Sequence, residues 1–216
     1  RLTKDWGIPL NFSFNGLKLM FNYTRNPKLK THEIPEIWHT TDPYFQKGMK
    51  YRMGGKNLPH FAIWDLKRNS FREITEESLT EVLVDNTGTY AVVYDPDLHR
   101  PDLDEAPSVD LYLKNVKTGN KVLLESGYSS SKLAIEFNPS GTYLAYPKNG
   151  RLMLYSLKTK KEVLNPLIDQ QIDVLGDLNT STIEAWYQDE NAVLIQGVYD
   201  LWELDLKPQK LRALTQ

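Results

Sequence analysis

The stretch Ala134-Ile135-Glu136-Phe137-Asn138-Pro139-Ser140-Gly141-Thr142-Tyr143-Leu144-Ala145-Tyr146, continued by Asn149-Gly150-Arg151-Leu152-Met153-Leu154-Tyr155-Ser156-Leu157, decides the fold. Its first part alternates apolar and polar residues and ends at Phe137. Asn138 to Gly141 reads as a turn, because Asn-Pro initiates one and glycine accepts positive φ at its end. A second, apolar-aromatic strand runs from Tyr143 to Tyr146. Asn149-Gly150 is a strong hairpin signal. The third strand is expected from Leu152 to Leu157, and Lys161-Glu162-Val163-Leu164 supplies a fourth. Four strands at hairpin spacing make one small antiparallel sheet.

The same pattern is written four times. Phe12 to Phe21 is one copy, Val82 to Tyr94 another, and Ile183 to Ile195 a degenerate last one. The expected turn positions are Gly16, Gly88, Gly141 and Asn191, at spacings of 72, 53 and 50 residues. The second half repeats as well. Phe61-Ala62-Ile63-Trp64-Asp65-Leu66 leads to Ile74-Thr75, Val109 to Leu113 leads to Val122-Leu123-Leu124, and Leu152 to Tyr155 leads to Val163-Leu164. Asp200 to Leu204 leads to Leu214-Thr215. Four-stranded repeats of this length are the signature of propeller blades. No segment sustains a helical period. The reading is an all-β propeller of four four-stranded antiparallel blades, near 10–75, 79–125, 131–166 and 180–215, filling the chain as a single propeller portion.

Composition sets the remaining bounds. With 216 residues, 40% hydrophobic and 25% charged, the chain is ordinary for a globular protein. A net charge of −2 with both signs interspersed gives no electrostatic case for nucleic acid or an anionic membrane. Cysteine is absent, which excludes disulfides, a thiolate nucleophile and thiolate metal sites. The histidines, His32, His39, His60 and His99, show no helical metal-ligand spacing, and His32 and His39 read as solvent-facing loop residues. No cofactor or metal is expected. Asp102, Asp104 and Glu105 fall in a proline-rich loop, Asp95 to Ser108, without the regular spacing of a calcium loop. Trp38, Trp64, Trp186 and Trp202 read as packing within or between blades.

One segment breaks the tight repeat. Thr24 to Pro59 is an irregular insertion, basic at first and later containing Glu36-Ile37-Trp38-His39-Thr40-Thr41-Asp42-Pro43-Tyr44. Glu36 to Trp38 suits a short strand, and Pro43 to Gly55 a short helix or an exposed arm. Long insertions in a tight repeat usually carry function or meet a neighbour.

The motif Glu36-Ile37-Trp38-His39 with Asp42-Pro43 and Gln46 resembles a segment in the propeller domains of prolyl oligopeptidase family serine peptidases, of the dipeptidyl-peptidase-like, bacterial secreted type. Thr89 to Asp95, the Pro-rich acidic loop, Asp110-Leu111-Tyr112-Leu113 and Lys117-Thr118-Gly119 resemble the next blade of such proteins, and Tyr199 to Asp205 with Leu214-Thr215 the following one. The strand with Asn-Pro-Ser-Gly is shared more widely with TolB-like propellers. The resemblance implies a domain that gates peptide access to a C-terminal α/β-hydrolase domain and does not itself cleave. It implies contact with substrate or a partner at Trp38, His39, Asp42 and Tyr44, a homodimer through the 24–59 insertion, and a periplasmic or secreted setting.

Dipeptidyl members hold a free substrate amine with paired glutamates, and the pair offered here is Glu76-Glu77. It lies in a linker between blades, where Thr75 and Ser78 read as a capped turn. The family's nucleophile elbow, Gly-x-Ser-x-Gly, does not occur in the chain. Gly127-Tyr128-Ser129-Ser130-Ser131 lacks the second glycine and reads as a blade linker. Four blades are fewer than the seven or eight the family uses. The expectation is therefore an open arc of a larger propeller, with a stand-alone TolB-like propeller that binds protein partners as the alternative.

Overall fold

The computed structural model describes residues 11–13, 16–24, 59–76, 78–99, 107–129, 134–148, 151–163, 183–196 and 200–215. The first sheet holds β1 (Asn11–Phe12), β2 (Lys18–Thr24), β3 (Pro59–Asp65) and β4 (Ser70–Glu73). The second holds β5 (Glu81–Val84), β6 (Tyr90–Tyr94), β7 (Ser108–Asn115) and β8 (Lys121–Ser129). The third is built from β9 (Glu136–Phe137), β10 (Tyr143–Lys148), β11 (Arg151–Ser156) and β12 (Lys161–Glu162). The fourth comprises β13 (Ile183–Trp186), β14 (Ala192–Gln196), β15 (Leu201–Asp205) and β16 (Lys210–Ala213). Each sheet is ordered as the chain runs, and every pairing is antiparallel. These are the four blades that the repeat predicts.

Hydrogen bonds align the repeats more sharply than residue types do. In the inner turns the amides of Gly16, Gly88 and Gly141 donate to the carbonyls of Ser13, Asp85 and Asn138, and all three glycines have φ between +62° and +68°. The fourth turn departs from expectation. There Glu190, not Asn191, donates back to Tyr187 and takes the left-handed conformation, at φ +53°. Asn191 instead accepts from Leu206 as Thr142 accepts from Leu157, so it aligns one residue after the glycines. Asp189 binds the Asn191 amide and side chain, which explains how an asparagine is held at that point without supplying the positive φ.

The first residue of the inner turn does further work. Asp85 accepts from the amides of Thr87, Thr89 and Tyr90, and Asn138 Oδ1 from those of Thr142 and Tyr143. Both side chains are fully buried, and their bonds replace the water those amides lose. The outer turns repeat a second pattern, Asp65-Leu66-Lys67, Asn115-Val116-Lys117, Ser156-Leu157-Lys158 and Asp205-Leu206-Lys207, with Asn69, Gly119, Lys160 and Gln209 left-handed two residues later. The blade-closing threonine also has a cause. Thr75 Oγ1 accepts from the Phe61 amide and Thr215 Oγ1 from that of Leu201, so the hydroxyl ties the end of the outermost strand to the strand before it. Thr75 is thus spent within its own blade and does not cap the Glu76–Leu79 turn, which closes by reciprocal backbone bonds.

Gly127-Tyr128-Ser129, read above as linker, belongs to β8. The β7–β8 hairpin shifts register on either side of Leu111, and Gly127 at φ +65° lets the strand bulge and resume. Asp110 fixes the bulge by accepting from the Gly127 amide and the Ser126 hydroxyl.

The chain forms two compact units, Arg1–Ser130 and Ser131–Gln216. Within the first, Met20, Ile63 and Ile74 of the first blade pack against Leu79, Ala91, Val93 and Val116 of the second. Within the other, Ala145 and Leu154 of the third blade pack against Ile183, Val193, Ile195, Leu204 and Leu206 of the fourth. Full burial of each Val, Leu, Ile or Met side chain in these clusters contributes about 1.5–3 kcal/mol to folding. The inner strands read as near-continuous apolar runs because both their faces are covered, as in β6, where Ala91, Val92 and Val93 are all fully buried.

Candidate functional site

The junction of the first two blades gathers several charged side chains. Lys18, at the start of β2, reaches across and donates to the carbonyls of Thr87 and Gly88, 2.8 Å from each. Gly88 permits this approach. A β-carbon there would lie 3.0 Å from Lys18 Cδ and 3.4 Å from Ile63 Cδ1. Burial lowers the Lys18 pKa, partly offset by Asp85 and Asp65. On the same side Arg72 of β4 donates to the carbonyls of Val116 and Lys117. A cleft of about 160 Å³ lies between these contacts, with Ile63 and Val116 in its lining and Lys18, Asp65, Arg68, Arg72 and Lys117 around it.

Lower on the junction the charge is answered within the chain. Lys114 is 6% exposed, although strand alternation would place it beside the partly exposed Tyr112 and Asp110. Its ammonium donates to the Ile74 carbonyl at 2.6 Å and to Glu76 Oε1 at 2.7 Å. Lys121 takes the other Glu76 oxygen at 2.7 Å. These two lysine bonds hold the Glu76 carboxyl below the usual glutamate range. The glutamate offered as an amine ligand therefore has two amines of its own chain already in place. Its neighbour Glu77, and Trp38, His39, Asp42 and Tyr44, lie outside the described residues, as does the proposed dimer segment but for its first and last positions.

Two histidines are held by carboxylates. His60 Nδ1 binds Glu73, beside Tyr23, whose ring centre is 5.3 Å from the imidazole. Phe71, more than half exposed, stands edge-on to Tyr23 at 5.8 Å. His99 Nε2 is 2.9 Å from Asp110 Oδ1. That contact, with Gly127 and Ser126, outweighs burial and keeps the Asp110 carboxyl below its ordinary value. Ser126 donates to Asp110, the same oxygen that His99 contacts, so the arrangement is not the serine–imidazole contact that activates a nucleophile. Among the described residues no three His, Asp or Glu side chains come together as a metal site.

Trp64, Trp186 and Trp202 settle where packing was expected, and Trp38 lies outside the described residues. Trp186 stacks on Tyr143 across the junction of the third and fourth blades, with centroids 6.3 Å apart and planes 17° apart, and its indole donates to Glu136. Trp202 packs on the core of that junction and Trp64 on that of the first blade. The cationic residues Lys18, Arg72, Lys114 and Lys121 escaped the sequence reading. Lys18, Arg72 and Lys114 bind backbone carbonyls, which carry no side-chain signature, and Lys121 binds a carboxylate forty-five residues away.

No protein-family model matches the sequence, and no curated protein matches it. Solved structures do. Dipeptidyl peptidase 4 of Porphyromonas gingivalis is similar over 95% of this chain and 30% of its own, with a TM-score of 0.50 at 12% identity. The β-propeller domain of the trilobed protease from Pyrococcus furiosus is similar over 97% of this chain and 58% of its own, with a TM-score of 0.48 at 9% identity. An oligogalacturonate lyase from Vibrio parahaemolyticus is similar over all of this chain and 55% of its own, at 0.47 and 12%. This chain thus spans under a third of the peptidase and little more than half of the other two. At these identities the likeness is one of fold, and the fold is a β-propeller of the kind carried by dipeptidyl peptidase 4.

Proposed function

We propose that this chain is a non-catalytic propeller portion of a prolyl-oligopeptidase-like serine peptidase, which gates peptide access to a hydrolase domain of the same protein. The observation that carries the reading is the likeness in fold, over 95% of the chain, to a part amounting to 30% of a dipeptidyl peptidase. Two features support it. The motifs that resemble peptidase blades occur in order along the chain, and the insertion between β2 and β3 interrupts an otherwise tight repeat. No Gly-x-Ser-x-Gly elbow occurs in the sequence, so the role of this portion is to bind and to filter.

Size selectivity is the test. In the parent protein, replacement of residues 25–58 by a short Gly-Ser link is expected to raise cleavage of a peptide of some thirty residues relative to a dipeptide p-nitroanilide. An unchanged ratio, with the dipeptide substrate still cleaved, would remove the gating role.

A further inference from the structure

We infer that the cleft between the first and second blades is a binding site for an anionic group, a carboxylate or phosphate borne by a ligand. Four cationic side chains, Lys18, Arg68, Arg72 and Lys117, line it against one carboxylate, Asp65. A second carboxylate, Asp85, acts on Lys18 from a fully buried position, where the amides of Thr87, Thr89 and Tyr90 hold its oxygens away from a ligand; counting it, four cations still face two carboxylates.

The cations are only partly cancelled within the site. Arg68 NH1 stands 3.9 Å from Asp65, beyond hydrogen-bond reach, and its side chain is 69% exposed. Asp65 Oδ1 accepts from the Arg68 backbone amide, and the oxygen that faces the guanidinium is Oδ2. Lys18 and Arg72 are anchored on carbonyls, which fix the position of each charge without neutralising it. A carbonyl-anchored ammonium and guanidinium are therefore held ready, and ordering them costs a ligand little further entropy. Ile63 and Val116 give the lining an apolar part beside this charge, which suits an anionic group carried on a short aliphatic stem. The glutamate side chain of a peptide has that form. Free phosphate offers the same charge without the stem. Arginine's fork favours either oxyanion.

The test is NMR titration of the full chain with three probes: acetyl-Gly-Glu-Gly-amide, the matched Gln tripeptide, and inorganic phosphate. The expected result is saturable shifts at the amides of Gly88, Thr89, Val116 and Lys117 with the glutamate peptide and none with its glutamine counterpart. Shifts with the peptide alone assign a stem-borne carboxylate. Shifts with phosphate alone assign a free oxyanion, and shifts with both assign the charge itself. Arg68→Gln and Lys117→Gln should each weaken binding about fivefold, as loss of one near-surface charge does. Asp65→Asn keeps the turn's acceptor and should tighten it. Equal binding of the glutamine peptide, no response to either anion, or indifference to Arg68→Gln and Lys117→Gln would overturn the site.

Discussion

The two blade junctions, one in each compact unit, solve the same packing problem with opposite polarity. At the first, the left-handed position of the inner turn is Gly88, whose bare α-carbon leaves room for Lys18 to reach the turn's carbonyls. At the other, that position is Glu190. Its carboxylate crosses the opposite way and accepts from Asn138 Nδ2 at 2.7 Å, the Ser140 amide at 2.8 Å and the Ser140 hydroxyl. The residues that follow the turns differ to match. Lys18 is a cation on a polar edge, whereas its counterpart Tyr143 stacks flat on Trp186. One apolar core can thus be edged by cations or by a carboxylate and an aromatic stack, and the first arrangement leaves a charged cleft.

The largest expected difference concerns Lys114. Lys114→Ala strands the Ile74 carbonyl and leaves Glu76 with Lys121 alone. It should cost about 2 kcal/mol by denaturant titration, below the full cost of breaking a buried pair because Glu76 is partly exposed. Lys121→Ala removes an exposed partner of the same carboxylate and should cost about 0.5 kcal/mol. Equal losses would mean that the buried ammonium has no special part in the first junction.

Exchanging the turn residues probes the polarity directly. Gly88→Glu puts a β-carbon against Lys18 and forces a positive φ on a side chain, which should destabilise by about 2 kcal/mol. Glu190→Ala loses the clasp but keeps the strained backbone, at a cost of about 2 kcal/mol. Glu190→Gly loses the clasp and relieves the strain, so its cost should be about 1 kcal/mol lower. If Gly proves no better than Ala, the left-handed backbone stores no strain at that turn.

Acid should separate the junctions by sign. The bonds from Lys114 and Lys121 depress the Glu76 pKa, so its contribution is present above the unfolded value near 4.5 and is lost as pH falls through the folded value. Glu136, raised by burial and only partly restored by the Trp186 indole, behaves in the opposite sense. Its protonated form suits the fold, so it favours folding below 4.5 and loses that as pH rises through its folded value. Glu76→Gln should flatten the acid loss. Glu136→Gln should be neutral or stabilising at pH 7, within about 0.5 kcal/mol, with stability read by denaturation between pH 3 and 7. A clear loss at pH 7 would mean the charged carboxylate helps the indole contact.

These differences mark how far the sequence could be read. Asn138-Pro139-Ser140-Gly141 and its copies show the inner turns because left-handed backbone selects glycine, a local requirement with a residue signature. At Glu190 that signature fails. The turn is over-determined by its hydrogen bonds and by the clasp on Asn138, so a non-glycine is tolerated and the nearby Asn191 misleads by one position. The bulge at Gly127 was hidden because its cause, Asp110, lies seventeen residues away. The charged cleft was hidden more deeply, since Lys18 and Arg72 bind backbone carbonyls on the next blade. The paired glutamates were visible, but the two lysines that occupy Glu76 belong to β7 and β8.

The most direct test of the functional account is active-site labelling with a fluorophosphonate, applied to this 216-residue chain and to the parent protein. The account predicts no labelled serine and no peptide or ester hydrolysis by the chain alone, and one labelled serine in the parent outside these residues. Labelling of a serine within the chain, abolished by its replacement with alanine, would contradict it.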